Sequence, residues 1–282
     1  MSSFFQGQMD YIFFFYGLAF VGLGVVSYFL SNDAGQRLPW KWLALFGFTH
    51  GLNEWLDLLA LSWPEGLALT ACRWAVMTLS FFFLVEFGHY SRMPQRGQRL
   101  WPLVLGVLAL AAALGALSGW SGLNATCRYT LGLVGSLWAA WALIREARRA
   151  DSRGRPWLLA GGAGLILYGL ATGLVVPPAA FFPATLVNYE TFAKLTGLPI
   201  QLVRGLSAVG ITAMMAGYFQ VSWRASSEPS QRYRACYMYG IGAALTVILV
   251  AGWVMTQSLG NLAWEQVRKD SLSQNKIAIQ RL

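Results

Sequence analysis

Long apolar runs broken by short polar connections constrain this chain more than any other feature. A membrane-crossing helix needs about 20 mostly apolar residues. Eight segments meet that length: 10–31, 41–62, 66–89, 101–120, 126–146, 156–176, 198–222 and 234–257. The breaks between them carry turn chemistry. Ser62-Trp-Pro-Glu-Gly66 is a tight turn, Ser118 to Asn124 is rich in Gly and Ser, and Pro177-Pro178 opens a longer loop that ends near Pro199. Charged residues make up only 12% of the chain, about half of what coats a soluble domain. The expected fold class is therefore all-α, a polytopic membrane helix bundle of about eight transmembrane helices over 1–257. A stalk helix over 258–282 follows, leading toward a further extracytoplasmic domain or a packing partner. In the stalk, Leu259, Leu262, Val267 and Leu272 recur at near-helical spacing.

The basic residues are not scattered. Alternate connections hold Arg37 and Lys41; Arg92, Arg96 and Arg99; Arg145, Arg148, Arg149, Arg153 and Arg155; and Arg224, Arg232 and Arg234, whereas the opposite set holds only Lys194. Short loops rich in Lys and Arg stay in the cytoplasm, so both termini are expected outside. Arg268, Lys269, Lys276 and Arg281 in the stalk run against this count, but they begin well beyond the last span. The net charge of +9 thus reports orientation rather than nucleic-acid binding. Cys72, Cys127 and Cys236 lack a CxxC spacing and read as small buried residues, neither disulfides nor zinc ligands.

Ionisable residues inside spans are costly and point to function. The second span reads Phe46-Gly-Phe-Thr-His50-Gly-Leu-Asn53-Glu54-Trp-Leu-Asp57. His50, Glu54 and Asp57 fall at i, i+4 and i+7 and share one face, with Asn53 at its edge. Gly47 and Gly51 form a Gly-x-x-x-Gly pair that lets another helix approach closely. At about 1.5 Å per residue, Asp57 and Glu54 lie ~7 and ~12 Å below the outer end of their helix, and Arg73 ~10 Å below the outer end of the next. A short turn joins the two helices, so Arg73 should meet the two carboxylates. Arg204 in the seventh span and Arg128 at the start of the fifth belong to the same half. The expectation is an inward-facing cluster of two carboxylates and three guanidiniums, either an ion-pair network that locks helices together or a ligand pocket. With three cations against two anions, a small anion would complete it. At the start of its span, Arg128 is also placed to snorkel to the interface, which weakens that charge argument.

Other signatures are missing. There is no H-E-x-x-H, no phosphate-binding Gly-rich loop and no G-x-S-x-G. His50 and His89 are the only histidines, and their depths do not suit two axial ligands of one haem. Gly161-Gly-Ala-Gly164 reads as a helix-packing surface, and Asn124-Ala-Thr126 as a chance match to a glycosylation sequon.

The segment from Phe46 to Asp57, with its multi-helix setting and the stalk, resembles the N-terminal membrane-sensor regions of bacterial signalling proteins. In such proteins a histidine kinase or diguanylate cyclase module follows, sometimes after a Cache-like domain. The resemblance implies a sensory role in the bacterial inner membrane, with the lipid bilayer, a small anionic or membrane-dissolved ligand and further copies of the chain as partners. No phospho-acceptor region, ATP-binding motif or cyclase motif occurs in the sequence, so the output would come from beyond Leu282 or from a partner. The alternatives are a transporter or channel subunit that uses the same polar stripe, and a redox subunit that binds haem or quinone. No cofactor is identified by the residues themselves.

Overall fold

Apolar runs of this length bury their backbone polar groups only by forming helices, and the described runs do so. The computed structural model describes residues 3–33, 35–62, 66–92 and 101–224, with a few helical positions between 242 and 254. Ten α-helices are described: α1 (Ser3–Gln6), α2 (Met9–Ser31), α3 (Trp40–Ser62), α4 (Leu67–Arg92), α5 (Trp101–Leu114), α6 (Gly119–Cys127), α7 (Val134–Ala147), α8 (Arg155–Gly173), α9 (Tyr189–Thr196) and α10 (Ile200–Arg224). Among the described residues there is no strand, only an isolated bridge between Val176 and Asn188. The expected span at 234–257 lies almost wholly outside the described residues, and the stalk at 258–282 lies wholly outside them.

Five described stretches are long and apolar enough to cross a membrane: Met9–Ser31, Leu67–Ser91, Trp101–Ala147, Arg155–Gly173 and Ile200–Trp223. Helix α3 has the length, at 23 residues, but its polar stripe dilutes its apolar character. The stretch Trp101–Ala147 has 47 residues, and as one straight rod would run about 70 Å, roughly twice a bilayer core. Instead it doubles back. A 3-10 turn at Gly115–Ser118 ends at Gly119, which takes φ +70°, a value that favours glycine. Beyond the turn Gly122 lies against the backbone of Gly115, and the Thr126 hydroxyl donates to the Ala112 carbonyl at 2.6 Å. The Gly/Ser turn expected between 118 and 124 is therefore present, shifted to its first residues. The returning arm is α6, a π-helical turn at Arg128–Leu133, and α7 in sequence.

Six helices close a ring in the order α3, α2, α10, α8, α7, α4 and back to α3, with α5 packed outside on α6 and the π-turn. The outer face of α5 is bare and apolar: Leu103, Val107, Leu110 and Leu114 are all more than half exposed. A continuous apolar belt of this kind suits contact with lipid chains.

Small residues set the ring's closest contacts. A Cβ on Gly47 would strike the backbone of Gly24 and Phe20, and one on Gly51 would meet the Gly17 carbonyl at 2.8 Å. The Gly-x-x-x-Gly pair does admit a neighbour, and that neighbour is α2. On α8, Gly161 and Gly164 meet Met215 and Ile211 of α10, while Gly162 meets Ile144 of α7, so the glycine cluster there is a packing surface. Cys127 is buried, whereas Cys72 is exposed on α4. The expectation that all the cysteines are buried fails at Cys72, because α4 turns that position out of the ring.

Overpacking a close contact typically costs about 1–3 kcal/mol, while Gly→Ala at an open helical site gains about 0.5–1 kcal/mol. Gly47→Ala should therefore lower the melting temperature of the detergent-purified protein. Gly106→Ala, where a Cβ meets nothing within 4 Å, should leave it unchanged or raise it.

Candidate functional site

The helices alternate in direction, so one end of the ring gathers the C-terminal halves of α3 and α8 with the N-terminal halves of α2, α4 and α10. We call this the upper end. The polar stripe of α3 faces into it, since no other surface spares its charges from hydrocarbon. His50, Asn53 and Glu54 are all at most 2% exposed. Asn53 is a full member of the stripe: its Nδ2 donates to Glu54 Oε1 at 3.1 Å.

His50 is the deepest member. Its Nδ1 lies 2.8 Å from Ser80 Oγ, and Ser80 gives its own proton to the Met77 carbonyl at 2.7 Å. Ser80 therefore accepts from Nδ1–H, which in the neutral imidazole leaves Nε2 as acceptor for the Tyr168 hydroxyl at 2.7 Å. Glu54 Oε1 stands 3.4 Å from the same Nε2. Phe20, Phe46 and Phe81 pack around the imidazole with ring centroids 4.6–5.2 Å away. With both ring nitrogens engaged, His50 offers no lone pair to iron. His89 lies near the other end of α4, stacked on Trp101 at 3.8 Å. Among the described residues no group of three or more His, Cys, Asp or Glu is arranged to hold a metal ion.

Above His50 lies a cavity of about 270 Å³. Asn53, Glu54 and Asp57 line it from α3; Thr70, Arg73, Trp74 and Met77 from α4; and Arg128 from the π-turn. Arg204 and Gln201 of α10, Phe13 of α2, Tyr189 of α9, Pro177, and Trp120, Ser121 and Asn124 of α6 complete the wall. Six of the seven residues singled out in the sequence thus share one cavity, and His50 supports its floor.

The three arginines are held differently. Arg73 Nε donates to Asp57 Oδ1 at 2.6 Å, the pairing expected from depth along two antiparallel helices. The side chains of that pair remain 26% and 17% exposed. Arg204, 2% exposed, reaches across to α8: Nε donates to the Ala171 carbonyl at 3.1 Å, Nη2 to the Val175 carbonyl, and Nη1 to the Tyr189 hydroxyl at 3.3 Å. Ala171 is in the last turn of α8, whose carbonyls lack helical partners, and Val175 follows its C-cap, so Arg204 ties that helix end to α10. Arg128 is 4% exposed, which overturns the snorkelling expectation. The rod that carries it begins at Gly119 rather than near residue 126, which places Arg128 well inside the bundle. Its Nε donates to Asn124 Oδ1 at 2.7 Å, and its guanidinium lies 5.9 Å from the Phe81 ring centroid. Nη1 has no hydrogen-bond partner. Asn124 is thus a helical, cavity-lining side chain, and the sequon's Thr126 hydroxyl is spent on the Ala112 carbonyl.

Several contributors escape a reading of the sequence. Ser80 and Tyr168 fix His50, yet each is a single polar residue in an apolar run. Trp74 sits beside Arg73, and its Nε1 also lacks a partner. Helix α9, which brings Tyr189 to the wall, did carry a signal. Asn188 caps it by accepting from Glu190 N at 3.1 Å and Thr191 N at 3.0 Å, and Gly197 closes it at φ +74°.

The Asp57–Arg73 contact can be isolated by a double-mutant cycle on thermal unfolding in detergent. Asp57→Ala and Arg73→Ala should each lower stability. The double variant should lose less than the sum of the two, with a coupling energy of about 0.5–3 kcal/mol. No protein-family model, curated protein or solved structure matches the chain, so the role of the cavity is argued from its chemistry.

Proposed function

We propose that this chain is the sensing module of a bacterial signalling protein. In this reading it crosses the inner membrane about eight times with both ends of the bundle outside, and its upper cavity is a ligand pocket open toward the extracytoplasmic side. The count of spans, the orientation and the location rest on the hydropathy and Lys/Arg pattern of the sequence. The sensory role rests on the cavity and on the resemblance carried by the Phe46–Asp57 segment.

One observation carries the reading: a polar cavity sits directly above a dry aromatic floor. Three arginines and two carboxylates line the cavity, while Phe20, Phe46, Phe81 and the buried His50 and Tyr168 fill the ring beneath. A channel requires a continuous polar path across the bundle, and this layer interrupts it. A site that accepts a ligand from one side and holds it suits a receptor. Binding would act on the bundle by changing how α4, α6 and α10 are drawn toward α3, since each contributes to the wall. Output would come from a kinase or cyclase module, in the same protein or a partner.

Glu54→Gln and Arg73→Ala, introduced at normal membrane abundance in the host, should each alter the response of kinase phosphotransfer or cyclic dinucleotide level to the extracellular medium. Wild-type responses in both variants would sink the pocket reading. Accumulation of ligand inside liposomes by the purified chain would favour the transporter reading.

A further inference from the structure

The cavity wall carries a chemical preference, and the two buried donors without partners define it. Arg128 is nine-tenths buried and more, with Nε spent on Asn124 and Nη1 bonded to nothing. Trp74 lines the same cavity, and its Nε1–H is buried and unpartnered. A buried N–H left without an acceptor costs free energy comparable to a lost hydrogen bond, and more when it is charged. Both residues line one cavity, and a charged donor without a partner calls for an anionic acceptor.

The remaining charges set the valence of that anion. Asp57 is held by Arg73, and Glu54 accepts from Asn53 at Oε1. Three guanidiniums against two carboxylates leave one positive charge, which a monoanion balances. A phosphate dianion would bring a second charge against Glu54 and Asp57. Phe13, Met77 and Trp120 give the wall an apolar and aromatic part beside Trp74, next to the polar Thr70, Ser121 and Gln201. A volume near 270 Å³ is just below the usual span for drug-sized ligands.

We propose that the cavity binds a small monocarboxylate. Its carboxylate is received by Arg128 Nη1 and Trp74 Nε1, and its apolar or aromatic body lies against Phe13, Met77 and Trp120. This rests on the pocket reading above and names its ligand class. The carboxylate can arrive from water or as the head of a fatty acid from the bilayer.

Binding of radiolabelled benzoate to the chain in lipid nanodiscs tests the assignment. Benzoate should bind saturably, and unlabelled acetate or laurate should displace it, laurate being the stronger competitor if the natural ligand enters from the bilayer. Benzyl alcohol and inorganic phosphate should not compete. Arg128→Gln should weaken benzoate at least about tenfold, the scale of one charge-assisted hydrogen bond. Trp74→Phe keeps the ring and loses the N–H, and should weaken it by about three- to tenfold. Should Arg128→Gln fail to fold, Trp74→Phe decides alone. Undiminished affinity in the folded variants, equal competition by benzyl alcohol, or no saturable binding of benzoate, acetate and laurate up to about 10 mM would each overturn the proposal. Benzoate that binds as stated but accumulates in liposomes would remove the receptor reading and leave the carboxylate assignment intact. Altered signalling in Glu54→Gln and Arg73→Ala without carboxylate binding would do the reverse.

Discussion

Taking an ionised side chain out of water costs several kcal/mol unless other polar groups replace the water. Helix α3 raises that cost at Glu54 and Asp57, and the smaller cost of a buried neutral polar group at His50 and Asn53, within a segment otherwise apolar enough to span. The rest of the bundle is arranged to meet it. Helix α4 supplies Arg73 to Asp57 and Ser80 to His50, and α8 supplies Tyr168. The π-turn brings Arg128 to the same cavity, and α10 brings Arg204. A wider turn is a common device at functional sites, and here it begins at the residue whose guanidinium reaches the cavity. The ring therefore serves to surround one polar stripe, and its lower half can stay dry because the upper half holds nearly all the buried charge.

What the sequence reveals follows from what is periodic or local. The stripe on α3 is visible at i, i+4 and i+7, and the Asp57–Arg73 pair follows from equal depth on either side of a short turn. Both depend only on helix geometry. Arg204 is placed at the right depth but in the wrong company: it was expected among carboxylates, whereas it binds the Ala171 and Val175 carbonyls. A backbone acceptor some thirty residues away leaves no mark on the sequence. Arg128 is hidden for another reason. Its depth depends on where the α5–α6 hairpin folds, and that is fixed by one glycine in a region where Gly115, Gly119 and Gly122 are all plausible corners. Ser80 and Tyr168 form no pattern because each contributes a single contact.

The site also separates residues that hold the bundle from residues that await a partner. Arg204, Tyr168 and Ser80 have their hydrogen bonds and tie helices together. Arg128 and Trp74 each keep a buried N–H without one. Arg204 shares the 270 Å³ cavity with Arg128 and Trp74, whereas Tyr168 and Ser80 hold His50 beneath it, so the stabilising network meets the recognition surface at Arg204.

The glycine seam between α2 and α3 bears on how such a bundle can move. Where backbone lies against backbone, at Gly47 on Gly24 and at Gly51 on Gly17, no side chain stands between the helices to change rotamer, and the Trp55 and Phe48 rings close the seam beside them. Those two helices form the stator of the assembly. Any rearrangement at the cavity must be borne by the other walls, where side chains such as Met215, Ile211, Ile144 and Trp138 fill the spaces opposite glycines and can settle in more than one way.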